Sequence, residues 1–220
     1  MLNSVKTILS NILQKLIGND RMYSRVFMIA GGFLLLTTLW LPLWNIQLEA
    51  PQYPHPLGMN IYLDKIMDQG EDTHDIKNIN ILNHYVGMKE IPEHMAEFEI
   101  FPYVIMIMGA ISILFGIIGN DKLYLLWFLI MAVLGSIGLY DFYKWEYDYG
   151  HDLDPNAILK FKDENGNPMG FQPPVIGSKT ILNFVAHSYP HIGSFVIFIS
   201  MGLGLLAFYI RYAANKIKKA

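Results

Sequence analysis

Four stretches without a charged side chain divide the chain: Val26–Leu48, Ile100–Asn120, Leu123–Tyr140 and His191–Ile210. Each holds at least 18 residues. At a rise of about 1.5 Å per residue, a helix of that length crosses a hydrocarbon core of roughly 30 Å. Helices of water-soluble domains alternate apolar and polar faces, whereas these stretches are apolar all round, as lipid requires. The pattern predicts an all-α integral membrane protein with transmembrane helices at residues 25–48, 100–120, 121–140 and 191–212, the last followed by a basic tail at 213–220. Two long hydrophilic loops, residues 49–99 and 141–190, separate the helices.

Shorter periodicities add detail. Val5, Ile8, Leu9, Ile12, Leu13, Leu16 and Ile17 recur at helical spacing opposite Lys6, Asn11 and Lys15. This predicts an amphipathic helix within residues 1–24, lying in the membrane interface or packed on a partner. No apolar segment with a small-residue cleavage site precedes Arg25, so a cleavable signal peptide is not expected. In the first loop Ile79, Leu82 and Val86 form the stripe of a short helix, which Gly87 weakens so that Met88 falls just past its end. In the second, Ile181, Leu182 and Val185 need burial, Asn165-Gly166 reads as a hairpin turn, and Tyr143–Tyr149 alternates aromatic and charged residues like a half-buried extended segment. The two loops are therefore expected to form one mixed α/β extracytoplasmic cap. Ile81–Val86 and Ile181–Ala186 share three residues, a faint sign of duplication.

Charge supplies an orientation. The N-terminal segment, the turn at 119–122 and the C-terminal tail hold nine basic residues against only Asp20 and Asp121. Seventeen of the 19 acidic residues fall in the two loops, and all seven histidines fall there or at their edge. The positive-inside bias predicts cytoplasmic termini and two periplasmic loops of a bacterial inner-membrane protein. No ionisable group lies near the middle of a span, which argues against a transporter acting alone. It also argues against a haem ligated within the bundle. Gly31-Gly32, Gly109, Gly116, Gly135, Gly202 and Gly204 suit close helix packing and also allow a homo-oligomer.

The chain has no cysteine, so thiolate ligation is excluded and any metal must use His, Met, carboxylate or backbone groups. His84 and Met88, four residues apart, offer an imidazole and a thioether, a pair that favours Cu(I). Met59, His151 and Met169 are candidates to complete that site, with Asn80 or Asp152 as acceptors for a ligand's second ring nitrogen. His187 and His191 are additional candidate ligands, although Pro190 leaves their proximity open. Local packing and hydrogen bonding explain the same residues without a metal. The Asp163-x-Asn165-x-Asn167 fragment is not a calcium loop, because Pro174 stands where a bidentate Glu is needed.

Four stretches carry a family resemblance: Gly58–Tyr62, Asp75–Met88 (DIKNINILNHYVGM), Tyr147–Pro155 and Met169–Asn183 (MGFQPPVIGSKTILN). In these the chain resembles the polytopic membrane protein encoded beside the catalytic subunit in atypical (clade II) nitrous oxide reductase gene clusters. The resemblance covers both loops and the four-span layout. It implies a supporting role around a periplasmic copper enzyme, by copper delivery or by membrane assembly and electron supply, and it assigns no residue a role. The absence of cysteine separates the chain from the soluble copper chaperones of such clusters. Three function classes follow: a Cu(I)-handling accessory protein, a metal-free assembly or electron-supply scaffold, and a membrane enzyme on a lipid-linked substrate. The enzyme reading has least support, since no nucleophile motif stands out and no catalytic residue is assigned. The expected partners are the bilayer and a periplasmic copper enzyme or other accessory membrane proteins, with no nucleic acid.

Overall fold

A computed structural model describes residues 19–70, 73–162, 166 and 169–217. The expected amphipathic helix lies outside the described residues as far as residue 18, and so does most of the Asn165-Gly166 turn. The elements run α1 (Asp20–Thr37), a 3₁₀ turn (Thr38–Trp40), β1 (Trp44–Glu49), β2 (Leu57–Ile61), β3 (Ile66–Asp68), α2 (Asp75–Val86), α3 (Ala96–Ile118), α4 (Asp121–His151), β4 (Gly177–Ile181), β5 (Phe184–Pro190) and α5 (Ile192–Ile217). Four segments are long and apolar enough to cross a membrane: Asp20–Trp40, Ala96–Ile118, Asp121–His151 and Ile192–Ile217. The chain is a multi-pass membrane protein, but it is not all-α, because the loops contribute a five-stranded antiparallel sheet.

Two compact units emerge. One comprises residues up to Thr37, Tyr103–Leu134 and residues from Val196 onward; the other comprises Thr38–Pro102 and Gly135–Phe195. In the first, helices approach closely through small residues. A Cβ on Gly32 would stand 2.8 Å from the Gly109 carbonyl oxygen, and one on Gly31 3.1 Å from that of Ser200. The same hydroxyl-and-carbonyl logic ties the helices: Ser112 Oγ donates to Met28 O at 2.8 Å and Ser200 Oγ to Gly31 O at 2.7 Å. Arg211 of α5 pairs with Asp20 of α1 at 2.6 Å, both side chains largely buried. Gly135 and Gly202 depart from expectation, since a Cβ on either meets nothing within 4 Å.

The second unit is built on strand order β3-β2-β1-β5-β4. Strand β1 pairs with β2 on one side and with β5, some 140 residues later, on the other, Trp44 facing Pro190 and Glu49 facing Val185. Both loops therefore enter one sheet. Trp44, Ile46, Leu57 and Met59 share one face, which is covered by Ile79 of α2, by Ile91, and by Phe142 and Tyr149 of α4. Trp44 Nε1 donates to the buried Ser188 Oγ at 2.7 Å, and Ser188 donates on to Val175 O. Beside this core, Phe171, Ile181 and Ala186 form a second apolar cluster.

Several expectations change here, each for a local reason. The first span stops near Trp40 rather than 48, because Pro42 cannot continue a helix. Beyond it Trp44, Ile46 and Leu48 alternate with Asn45, Gln47 and Glu49, the period of a strand. Tyr143–Tyr149 is helical, not extended. Its rings stack at helical spacing, Trp145 on Tyr149 with centroids 5.3 Å apart and Tyr147 on His151 at 4.1 Å. The apparent repeat has no structural counterpart: Ile81–Val86 is helical, whereas Ile181–Ala186 turns from β4 into β5 at Leu182. Leu182 is exposed there with φ of 58°, so it is not part of a buried stripe. The helix over Ile79, Leu82 and Val86 stands as expected, ending at Gly87 in the left-handed conformation, φ 82°.

Candidate functional site

The end of α2 meets two segments of the second loop. Gly87 accepts from Asp154 N at 2.8 Å through its carbonyl, and Tyr85 O accepts from Leu159 N at 2.9 Å. A Cβ at Gly87 would also lie 2.7 Å from that of Ala157, so both the positive φ and the close approach require glycine. Past this stop, Met88 leaves the helix axis and packs against the Phe171–Ile181–Ala186 cluster. Met169 packs on the same cluster, its N–H held by Phe161 O at 3.0 Å. Two thioethers more than 80 residues apart in sequence thus share one apolar neighbourhood.

His151 ends α4 next to them. Phe171 N donates to Gly150 O at 2.8 Å, which lays residues 169–172 along the end of that helix. A Cβ on Gly170 would stand 2.5 Å from His151 Nε2, so glycine leaves the room in which the imidazole sits. The Nδ1 of His151 is 2.9 Å from Tyr147 O. A carbonyl oxygen can only accept, so Nδ1 carries the hydrogen and Nε2 keeps its lone pair. That is the tautomer a metal ligand needs, oriented by a main-chain carbonyl.

The other candidates are placed elsewhere. His84 is exposed on α2, its ring edge-on to Tyr85 at 6.5 Å. Met59 is buried in β2 among the Trp44 cluster, 5% exposed. Asn80 uses its Oδ1 to accept from Ile91 N at 2.8 Å, bracing the segment after α2. Asp152 forms an exposed ion pair with Lys89. His187 lies on β5 and His191 just before α5, its backbone N–H bonded to Leu43 O. Of the nine, Met88 and Met169 pack on one apolar cluster, and His151 lies against Gly170, the neighbour of Met169. Among the described residues no group of three or more His, Asp or Glu could hold a metal ion.

An open cavity of about 460 Å³ adjoins the Met88 cluster, sharing Val86 and Phe161 with it. Its rim includes Ile81, Tyr85, Leu159 and Leu182, each more than a third exposed.

Two features were not anticipated from sequence. Glu146 is fully buried, and neither carboxyl oxygen has a hydrogen-bond partner among the described residues. Its spacing from Phe142 and Tyr149 places it on the core-facing side of α4, a signal available only once that segment is known to be helical. On the opposite face of the sheet, Ser178, His187, Glu49 and Tyr189 form a connected polar cluster. The alternation His187-Ser188-Tyr189 reveals the shared face of two of them, but their neighbours come from other strands. No protein-family model matches the chain, and no curated protein matches it.

Proposed function

We propose that this protein is an inner-membrane accessory factor that supports a periplasmic copper enzyme, nitrous oxide reductase by resemblance, by binding Cu(I) and passing it on from the unit built by its two long loops. The observation that carries the reading is the packing of Met88 and Met169 on one cluster, with the His151 imidazole against Gly170, next in the chain to Met169. Thioether and neutral imidazole donors bind Cu(I) while leaving it exchangeable, as delivery requires. His84 is exposed on α2 and Met59 packs in the Trp44 cluster, so neither belongs to the group that Met88 and Met169 join. The orientation rests on charge: nine basic residues in the termini and the short turn favour a cytoplasmic side, which makes the acidic loops periplasmic.

Detergent-purified protein should retain Cu(I) under reducing conditions against a chromophoric Cu(I) chelator. Met88→Leu with Met169→Leu, and separately His151→Gln, should lose the ion to the chelator at much lower concentration. His84→Ala should change little. Equal Cu(I) retention by the parent and the Met88/Met169 double variant would remove the site.

A second reading, a metal-free scaffold for assembly or electron supply, draws on the exposed apolar rim of Ile81, Tyr85, Leu159 and Leu182. Exposed apolar side chains grouped around a recess suit contact with another protein. That reading predicts that charged substitutions at this rim abolish support of the copper enzyme while the double methionine variant leaves it intact.

A further inference from the structure

The exposed face of the sheet carries a hydrogen-bonded chain whose geometry suits nucleophilic catalysis. Ser178 of β4 stands opposite His187 of β5, and His187 stands opposite Gln47 of β1 in the next row. Ser178 Oγ is 2.6 Å from His187 Nδ1, and His187 Nε2 is 3.3 Å from Glu49 Oε1. The latter is an ion-pair distance without hydrogen-bond alignment, and Nε2 is out of solvent. Tyr189 OH is 3.2 Å from Ser178 Oγ.

The donors can be ordered by elimination. A carboxylate only accepts, so a lone pair on Nε2 facing Glu49 is disfavoured and Nε2 carries the hydrogen. Nδ1 is then the acceptor and takes the hydrogen of Ser178, whose oxygen accepts from Tyr189. Tyr189 thus donates to Ser178 and Ser178 to His187, two hydrogen bonds that polarise each other, with Glu49 at ion-pair distance beyond.

We infer that Ser178 is an activated nucleophile, with His187 as its general base, Glu49 as the group that orients and stabilises the imidazolium, and Tyr189 as the hydrogen-bond donor to a developing oxyanion. These are the roles of a serine–histidine–acid triad, recognised by geometry rather than by order in the sequence. Antiparallel strands hold the participants on rigid backbone. Beside them on this face Asn45 bonds Asn60 at 2.8 Å and Gln47 bonds Gln69 at 2.9 Å, with Val185 and the exposed Met67 the apolar members. Rows of amides suit a hydroxyl-bearing leaving group, and a short acyl group asks for no apolar channel beside Ser178. The substrate class is accordingly a short-chain carboxylic ester, an acetyl ester of a polyhydroxylated compound.

The reaction balances with water alone. Ser178 Oγ bonds to the carbonyl carbon as its proton moves to Nδ1, and the carbonyl electrons move onto an oxygen beside Tyr189. Collapse breaks the ester C–O bond, and the leaving alkoxide takes the Nδ1 proton. Water repeats the route on the acetylated serine, releasing acetate and restoring Ser178. The inference is independent of copper binding.

The test uses the full chain in detergent with a fluorophosphonate probe, which forms an O–P bond and expels fluoride. Peptide mass spectrometry should find the adduct on Ser178. Ser178→Ala should abolish it, and His187→Ala should slow labelling by about 100-fold or more, the scale of a lost general base. Glu49→Gln and Tyr189→Phe, which preserve shape, should each slow it by a smaller factor and guard against a His187 variant that does not fold. The parent should also hydrolyse p-nitrophenyl acetate faster than Ser178→Ala, and p-nitrophenyl octanoate poorly. No adduct at Ser178 in the folded protein, or equal labelling rates in the parent and both Glu49→Gln and His187→Ala, would overturn the assignment.

Discussion

In the helical unit, apart from Arg211–Asp20 and Asn215–Asp121, polar side chains such as Ser112, Ser200 and Trp127 give their hydrogens to main-chain carbonyls at Met28, Gly31 and Met108, whereas in the sheet unit polar side chains more often find one another. Trp44 meets Ser188, Asn83 meets Tyr149, Asn45 meets Asn60, and Ser178 meets His187. The difference follows from solvent. Apolar surroundings supply no hydrogen-bond partner, and a helical carbonyl already in its ladder still has a second lone pair to offer. A hydroxyl bonded in that way joins two helices and has no further chemistry. Strands instead stand side chains in rows across neighbouring chains, so that their polar groups form connected networks. Chemistry in this protein is therefore sought in the sheet unit, and rigidity in the helical one.

The largest expected effect tests whether the sheet unit depends on one shared core. Trp44 is 8% exposed, lies tilted against the Phe142 ring with centroids 5.2 Å apart and donates to Ser188. Trp44→Ala should cost about 3–5 kcal/mol, the range for a buried tryptophan. Limited proteolysis should then cut within 49–99 and 141–190 together; cleavage confined to one loop would mean that they do not fold as one.

A smaller effect is expected from overpacking the helical unit. Gly32→Val forces a side chain to within 2.8 Å of the Gly109 carbonyl oxygen and should cost about 1–3 kcal/mol, read as a lower melting temperature in detergent. Gly202→Ala, in the same unit and with nothing within 4 Å, is the control and should be neutral or slightly stabilising. If the two behave alike, the helices do not approach at Gly32 as described.

The smallest effect concerns Glu146, whose buried oxygens have no hydrogen-bond partner among the described residues. Burying an unsatisfied polar group is costly, so Glu146→Met should raise the melting temperature, by the equivalent of about 1 kcal/mol. A fall in melting temperature would show that the carboxyl is satisfied in the folded protein.

Much of the helical layout was legible because apolar periodicity is local. The four spans and the stop at Gly87 each follow from residues within one or two helical turns of one another. The errors have the same origin: the uncharged run to Leu48 hid the strand that starts at Trp44, and aromatic–charged alternation at 143–149 matched both periods until ring stacking at helical spacing decided between them. For the candidate ligands, spacing pointed to His84 with Met88, four residues apart. Gly87 ends the helix between them, and Met88 packs on the cluster that Met169 also touches.

The sequence by itself determined that this is a multi-pass membrane protein with helices in four apolar runs, that its acidic residues and histidines concentrate between them, and that no thiolate chemistry is open to it. Those are properties of composition and near-neighbour spacing, which need no partner in space. Only the tertiary structure decided that β1 pairs with β5, and with that pairing that Glu49 and His187 stand together with Ser178 on one face. It also decided that the His151 imidazole packs against Gly170, where any larger residue would collide with it. Strand register depends on which distant segment supplies the other half of each hydrogen bond, and a one-residue slip moves every side chain to the opposite face.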